Sequence, residues 1–264
     1  MDIVALTALG VGGATVIGAA LGFVFKRMSH RFSDITLAFA AGIMLAAAVL
    51  GLIVPSVDYG IDLLGNPDAF LTKLLAVLIT LAGIFAGAVC LNLMDRLVPH
   101  LHKLAGVEPE SHGASNQNVG KILLFVMAIA IHNLPEGIAA GVGFGSGNTT
   151  EALLIAGGIA LQNIPEGMVI IAPMLAAGIK PGKTFLIALG TGLVEVAGTF
   201  VGYFAANASQ YVLPFALAFA GGTMLYIISD EMIPETHAHG CERGATYALL
   251  VGFCVMLVSS ILLG

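Results

Sequence analysis

Polar residues in this chain gather at breaks between long apolar runs and do not alternate with apolar ones. Eight runs stand out: Ile3–Phe25, Asp34–Val54, Lys73–Leu93, Val119–Val142, Glu151–Leu175, Lys183–Ala205, Val212–Met232 and Gly244–Leu263. Each is about as long as the ~20 residues an α-helix needs to cross the hydrocarbon core of a bilayer. The pattern predicts an all-α integral membrane protein, an eight-helix transmembrane bundle forming one domain over residues 1–264. Asp2 precedes the first run and Lys26-Arg27 follows it, the reverse of a secretory leader, so it is read as a true first span with its N-terminus outside. The longest connection holds Pro99, Pro109 and the stretch Gly113-Ala-Ser-Asn-Gln-Asn118, and predicts a mobile cytoplasmic loop over residues 97–118.

Charge fixes an orientation. With the N-terminus outside, Lys26, Arg27, Arg31, Arg96, Lys103, Lys121, Lys180, Lys183 and Arg243 fall on the inner side, and Lys73 alone falls outside. This is the asymmetry of the positive-inside rule, and dropping one early span scrambles it. Both termini are therefore expected on the extracytoplasmic face. Composition agrees with a membrane setting: 58% of residues are hydrophobic and 10% charged, against ~25% charged in soluble domains. No basic patch suggests nucleic acid. Cys90, Cys241 and Cys254 have neither disulfide nor zinc-knuckle spacing.

Two repeats are visible. Leu37-Ala-Phe-Ala-Ala-Gly-Ile-Met-Leu45 in span two matches Leu217-Ala-Phe-Ala-Gly-Gly-Thr-Met-Leu225 in span seven at seven of nine positions. Those spans cross in opposite directions, as in the inverted repeats of transporters. His132-Asn-Leu-Pro-Glu-Gly137 in span four is echoed by Gln162-Asn-Ile-Pro-Glu-Gly167 in span five. Of the 34 glycines, Gly18 and Gly22, and Gly83 and Gly87, have the small-residue spacing of close helix contacts.

The chemistry lies in spans four to six, where Glu136, Glu166 and Glu195 sit near mid-span with no Lys or Arg at their depth. Each charge costs ~2.5–3.5 kcal/mol at a helix centre on insertion scales, so the three must be protonated, face water or bind cations. His132 shares a helix face with Glu136, and Gln162 with Glu166; Asn133 and Asn163 reach the edge of the same site. Pro135 and Pro165 lack the N–H that would bond the carbonyls of Ile131 and Leu161, and carbonyls freed at bilayer depth are tolerated where they line a cavity. Interhelical hydrogen bonding alone would explain an Asn or a Gln, but poorly explains three glutamates and a histidine. Oxygen ligands alone suit magnesium or calcium; imidazole, with a thioether such as Met44, turns preference toward zinc, iron, manganese or cadmium.

With these motifs the chain resembles the ZIP (Zrt/Irt-like) metal transporters, in particular their bacterial GufA-like and ZupT-like branch. The resemblance implies a 3+2+3 inverted-repeat bundle in the bacterial inner membrane that imports zinc or similar divalent ions into the cytoplasm. It implies a two-metal centre: His132, Glu136, Gln162, Glu166 and Met44 around one ion, and Asn133, Asn163 and Glu195 around the second, with Glu136 and Glu166 bridging. The family pattern also allows Asp where this chain has Asn163, and three glutamates carry one charge fewer than two dications and one more than a single dication. One ion or two, and proton coupling or its absence, thus stay open. The resemblance further suggests an inner release site at Asp95, His100, Asp230 and Glu231, and an outer cation-attracting residue, Asp58, in the loop after Pro55. A solvated, buffering surface is the alternative for the inner cluster, which also draws in His30, His102, His112, His237 and His239.

The expected partners are divalent metal ions, as cargo and not as cofactors, and the lipid bilayer, with no nucleic acid; a homodimer is an allowed oligomer. The chain is not expected to be an enzyme. An intramembrane metal-dependent hydrolase built on the same residues is the rival class, although no His-Glu-x-x-His and no second mid-span histidine is present. A passive cation channel is the third reading.

Overall fold

A computed structural model describes residues 1–25, 29–104, 130–176 and 178–263, and among these every regular element is helical. Helix α1 spans Asp2–Val24. Helix α2, His30–Ala46, opens on Ser29, whose hydroxyl accepts the Phe32 N–H at 3.2 Å. A π-helical stretch, Ala47–Ile53, leads directly into α3, Val54–Leu64. Then come α4, Phe70–Leu104, α5, residues 130–142, α6, Thr149–Ala176, and α7, Pro181–Ala208. Helix α8, Leu213–Ile227, passes through a second π stretch, Ile228–Met232, into the short α9, Ile233–Thr236, and α10 runs over Glu242–Leu263.

Seven helical stretches of the described residues are long and apolar enough to cross a membrane. The fourth expected span is described only from residue 130, and most of the expected loop, residues 105–118, lies outside the described residues. Two boundaries differ from the sequence reading. Helix α4 continues through Pro99 to Leu104, where a loop was expected from residue 97; Met94, Leu97, Val98, Leu101 and Leu104 keep a helical spacing of three and four that carries the pattern past the bilayer. The second span also does not stop at Val54: helix resumes through Pro55 to Leu64, so Asp58 is an exposed helical residue and not a loop residue.

The π stretches explain how helix survives these prolines. The Val54 N–H bonds to the Val49 carbonyl, and the Ile233 N–H to that of Ile228, each one residue wider than an α-turn. A widened turn just ahead of Pro55 and Pro234 eases the clash between the ring and the preceding turn.

Helix α1 packs on α6 and α7, α2 on α10 and α6, and α4 on α3 and α8. Glycine sets the spacing. A Cβ on Gly12 would lie 2.2 Å from the Gly192 carbonyl oxygen, and one on Gly192 2.5 Å from that of Gly12, so α1 and α7 touch backbone to backbone. The four glycines singled out by spacing are all at close helix contacts: Gly18 meets the Ile164 backbone and Gly87 that of Phe219, whereas Gly22 meets the Met168 carbonyl and the Ile171 side chain, and Gly83 the Ala218 Cβ. Ile43, Met44, Leu52, Leu217 and Met224 fill the core between α2 and α8. By contrast Leu78, Phe85 and Val89 of α4, and Tyr247, Val251 and Val258 of α10, point outward. Such continuous apolar faces suit lipid, not water.

Candidate metal centre

The turn between α5 and α6 brings the two repeated motifs together. A 3-10 turn, Gly143–Ser146, is followed by Gly147 at φ +75°, and the Asn148 side chain accepts the N–H groups of Thr150 and Glu151 at 3.1 and 3.3 Å. This cap starts α6 antiparallel to α5. Because the motifs run in opposite directions, the first residue of each lies across from the glutamate of the other. Accordingly Gln162 Nε2 donates to Glu136 Oε1 at 3.0 Å.

The third glutamate has a different environment. Glu195 on α7 accepts hydrogen bonds from Thr15 Oγ1 at 2.6 Å and from Asn133 Nδ2 at one oxygen, and from Asn163 Nδ2 at 2.7 Å at the other. Both of its oxygens are satisfied although it is fully buried. The other two are not: Glu136 Oε2 and Glu166 Oε1 are buried with no hydrogen-bond partner, as are the amide oxygens of Gln162 and Asn163. A buried acceptor left unpaired costs about 1–3 kcal/mol. Two of the four belong to the α5 and α6 glutamates that line a cavity, Glu136 and Glu166, and a cation there would satisfy them. Among the described residues no three His, Cys, Asp or Glu side chains are gathered to hold a metal by themselves.

A cavity of roughly 660 Å³ opens from this cluster. Thr15, His132, Asn133, Glu136 and Glu166 line one part, and Asp230, Glu231, Glu235 and Ala238 line the part toward α9. His132 Nε2 lies 2.7 Å from Glu231 Oε1, so Glu231 stands beside the mid-span histidine, in the same cavity as the residues from which the sequence reading separated it. The second π stretch carries Asp230 and Glu231, and its widened turn belongs to the segment that lines the cavity. Met44 is fully buried in the hydrophobic core and is not among the lining residues. The side chains of Asp95 and His100, near the end of α4, lie outside the described residues, and Asp58 is exposed on α3, away from the cavity.

Sequence reasoning missed Thr15. The signal is present as a face of α1, Gly12, Thr15, Gly18 and Gly22, on which the one hydroxyl among glycines sits where α1 meets α6 and α7. Thr15→Val keeps the shape and removes one of three donors to Glu195. The expected result is a loss of stability of about 1 kcal/mol, read by thermal unfolding in detergent, with zinc uptake reduced but not abolished. Unchanged uptake and unchanged unfolding would remove Thr15 from the site.

Seven membrane-capable helices among the described residues, around a cavity lined by buried carboxylates, define a multi-pass membrane protein with a polar interior. The particular family follows from comparison with known proteins: the chain belongs to the ZIP zinc transporter family, whose sequence profile matches residues 98–260. It is similar to the zinc transporter GufA of Myxococcus xanthus, 37% identical over 263 residues and covering 98% of each chain. The zinc transporter ZIPB of Bordetella bronchiseptica is 34% identical, over 95% of this chain and 78% of its own. The zinc transporter ZupT of Chlorobaculum parvum is also 34% identical, over 95% and 94%.

Proposed function

We propose that this protein imports divalent transition-metal ions, with preference for zinc over iron, manganese and cadmium, across a bacterial inner membrane. The observation that carries this reading is the set of four buried, unpartnered oxygens of Glu136, Gln162, Asn163 and Glu166. The relatives named above are zinc transporters, which supports the same cargo. Glu136, Gln162, Glu166 and His132 hold the first ion, with Met44 on the neighbouring α2 as the thioether that the resemblance adds. Glu195, Asn133 and Asn163 border a second position. Because the three donors on Glu195 already offset its charge, that second ion is the weaker. Ions are drawn in near Asp58 and leave along Asp230 and Glu231 toward Asp95 and His100.

An eight-span, 3+2+3 inverted repeat with both termini outside accounts for the internal correspondences. Thr15 and Glu195, which bond to each other, are 180 residues apart. Gly12 and Gly192, Gly18 and Gly198, Gly22 and Gly202, and Met44 and Met224 follow the same register. Helix α2 packs on α10 as α4 packs on α8, which is the exchange of partners that such a repeat requires.

The test is zinc uptake into sealed liposomes containing the purified chain, with iron, manganese and cadmium as competitors and with a pH gradient imposed or absent. Saturable uptake, competed least by the other ions, is expected. No uptake sinks the transport reading and favours the hydrolase; uptake that rises without saturation favours the channel.

A further inference from the structure

A second group of side chains of metal-ligating type lies beside the cavity, at the start of α2 and in the connection between α9 and α10. Asp34, in the first turns of α2, is buried. Its Oδ1 lies 3.1 Å from His239 Nδ1, in the connection between α9 and α10. Its Oδ2 is buried without a partner. The His30 ring, at the start of α2, stacks on the His239 ring with centroids 4.7 Å apart and planes at 23°. The group adjoins the cavity: Leu37, one turn along α2 from Asp34, and Ala238, next to His239, both line it.

We propose that His30, Asp34 and His239 form a separate station for zinc-like divalent cations at the mouth of the cavity, loaded and emptied as ions pass between the glutamate site and water. The proposal rests on the transport reading above. Its geometry stands independently. Two ligand atoms on a tetrahedral zinc ion, each at ~2.0–2.1 Å, are ~3.3 Å apart. The Asp34 and His239 atoms at 3.1 Å need to move only slightly to admit an ion between them. His132 and Glu231, at 2.7 Å, are held at hydrogen-bond distance and must open further. On metal binding His239 Nδ1 becomes a ligand through its lone pair, and a proton held there moves by way of water to Nε2 as the other neutral tautomer. His30 supplies the third ligand by turning about its own side-chain torsions, which its exposed position permits. The orphaned Asp34 oxygen lets the carboxylate bind through both atoms.

Nothing in this group is preassembled as a closed shell. Its ligands come from two elements that the ion must draw together, and some of its affinity is spent in doing so. Weak binding is what a release station needs, since an ion held tightly at the mouth would not leave. A fixed hydrogen bond tying the α9–α10 connection to α2 is the purely structural alternative, and it predicts no response to metal.

The test is peptide-resolved carbethoxylation of the full chain in liposomes, with and without saturating zinc. Zinc is expected to slow modification of both His30 and His239, and Asp34→Asn is expected to remove that protection. A companion measurement uses the Glu136→Gln/Glu166→Gln chain, in which the glutamate site is disabled, and titrates it with cobalt. One cobalt ion with an imidazole-type visible spectrum is expected, with affinity falling about tenfold or more when His239→Gln is added. Zinc-independent carbethoxylation of both histidines, or cobalt binding indifferent to His239→Gln, overturns the station. Uptake by the unaltered chain keeps the two ideas separable. Zinc uptake without histidine protection sinks the station alone, whereas protection without uptake sinks the transport reading alone.

Discussion

Glu136→Gln and Glu166→Gln chains are expected to fold at least as well as the parent and to lose zinc uptake by about 100-fold or more. The two expectations have one physical origin. An ionised carboxylate buried without a partner is costly, and Glu136 Oε2 and Glu166 Oε1 are in that position. Glutamine has nearly the same shape without the charge, so removing the charge relieves the apo protein. The Oε1 of the new side chain at 136 still accepts from Gln162 Nε2, preserving the 3.0 Å bond that joins α5 to α6. Transport fails because the cation loses its principal counter-charge. Even outer-sphere partners of a metal typically contribute 10–100-fold to affinity or activity, and a ligand contributes more. Glu195→Gln should behave differently. Its carboxylate accepts from Thr15, Asn133 and Asn163, and an amide there turns an NH2 toward donors. That change should lower the unfolding temperature as well as uptake. The comparison needs initial zinc uptake rates and thermal unfolding on all three chains. Normal uptake by the Glu136→Gln or Glu166→Gln chain, shown to be folded, would sink the site assignment.

How much of this was legible in the chain depended on whether a residue's role is local. Run length located seven of the expected spans among the described residues because hydrophobic thickness is a one-dimensional constraint. The repeated motifs located α5 and α6 because a carboxylate within an apolar run has few meanings. What periodicity did not reveal were features set by contacts between helices. Thr15 reads as an ordinary small polar residue until α1 is placed 180 residues away in sequence against α7. Glu231 reads as part of a charged helix end until the π stretch and α9 bring it to His132. Asp58 was assigned to a loop because Pro55 is a helix breaker in isolation, and the π turn that accommodates it leaves no signature in hydropathy. The different standing of the three glutamates, one accepting at both oxygens and two each with one oxygen left unpartnered, depends on where neighbouring amides point, which spacing does not encode.

The glycine that closes each motif is expected to be as sensitive as the glutamate before it, for a mechanical reason. A Cβ on Gly137 would lie 2.2 Å from the Glu195 carbonyl oxygen, and one on Gly167 2.2 Å from that of Thr15. Both obstacles are backbone, so no side-chain rotation relieves the overlap and the helices must separate. Overpacking of a close-packed interior costs about 1–3 kcal/mol, with more expected where backbone is the obstacle. The separation also acts on the site. Gly137 meets the residue whose carboxylate Asn133 and Asn163 hold, and Gly167 meets the residue whose hydroxyl donates to that carboxylate. Pushing α5 from α7, or α6 from α1, therefore lengthens the bonds that fix Glu195. Gly137→Ala and Gly167→Ala should lower the unfolding temperature and zinc uptake together, unlike the glutamine variants, which separate the two. Gly10→Ala and Gly190→Ala are the controls: an added Cβ there meets nothing within 4 Å. On helix propensity they should be neutral or gain up to ~1 kcal/mol. If Gly137→Ala unfolds and transports like the parent while the controls do the same, α5 and α7 do not meet as described. The expected pattern has a sharper consequence: the motif's last residue acts by letting two backbones touch, and Glu136 and Glu166 face one cavity with a side-chain-free position following each of them.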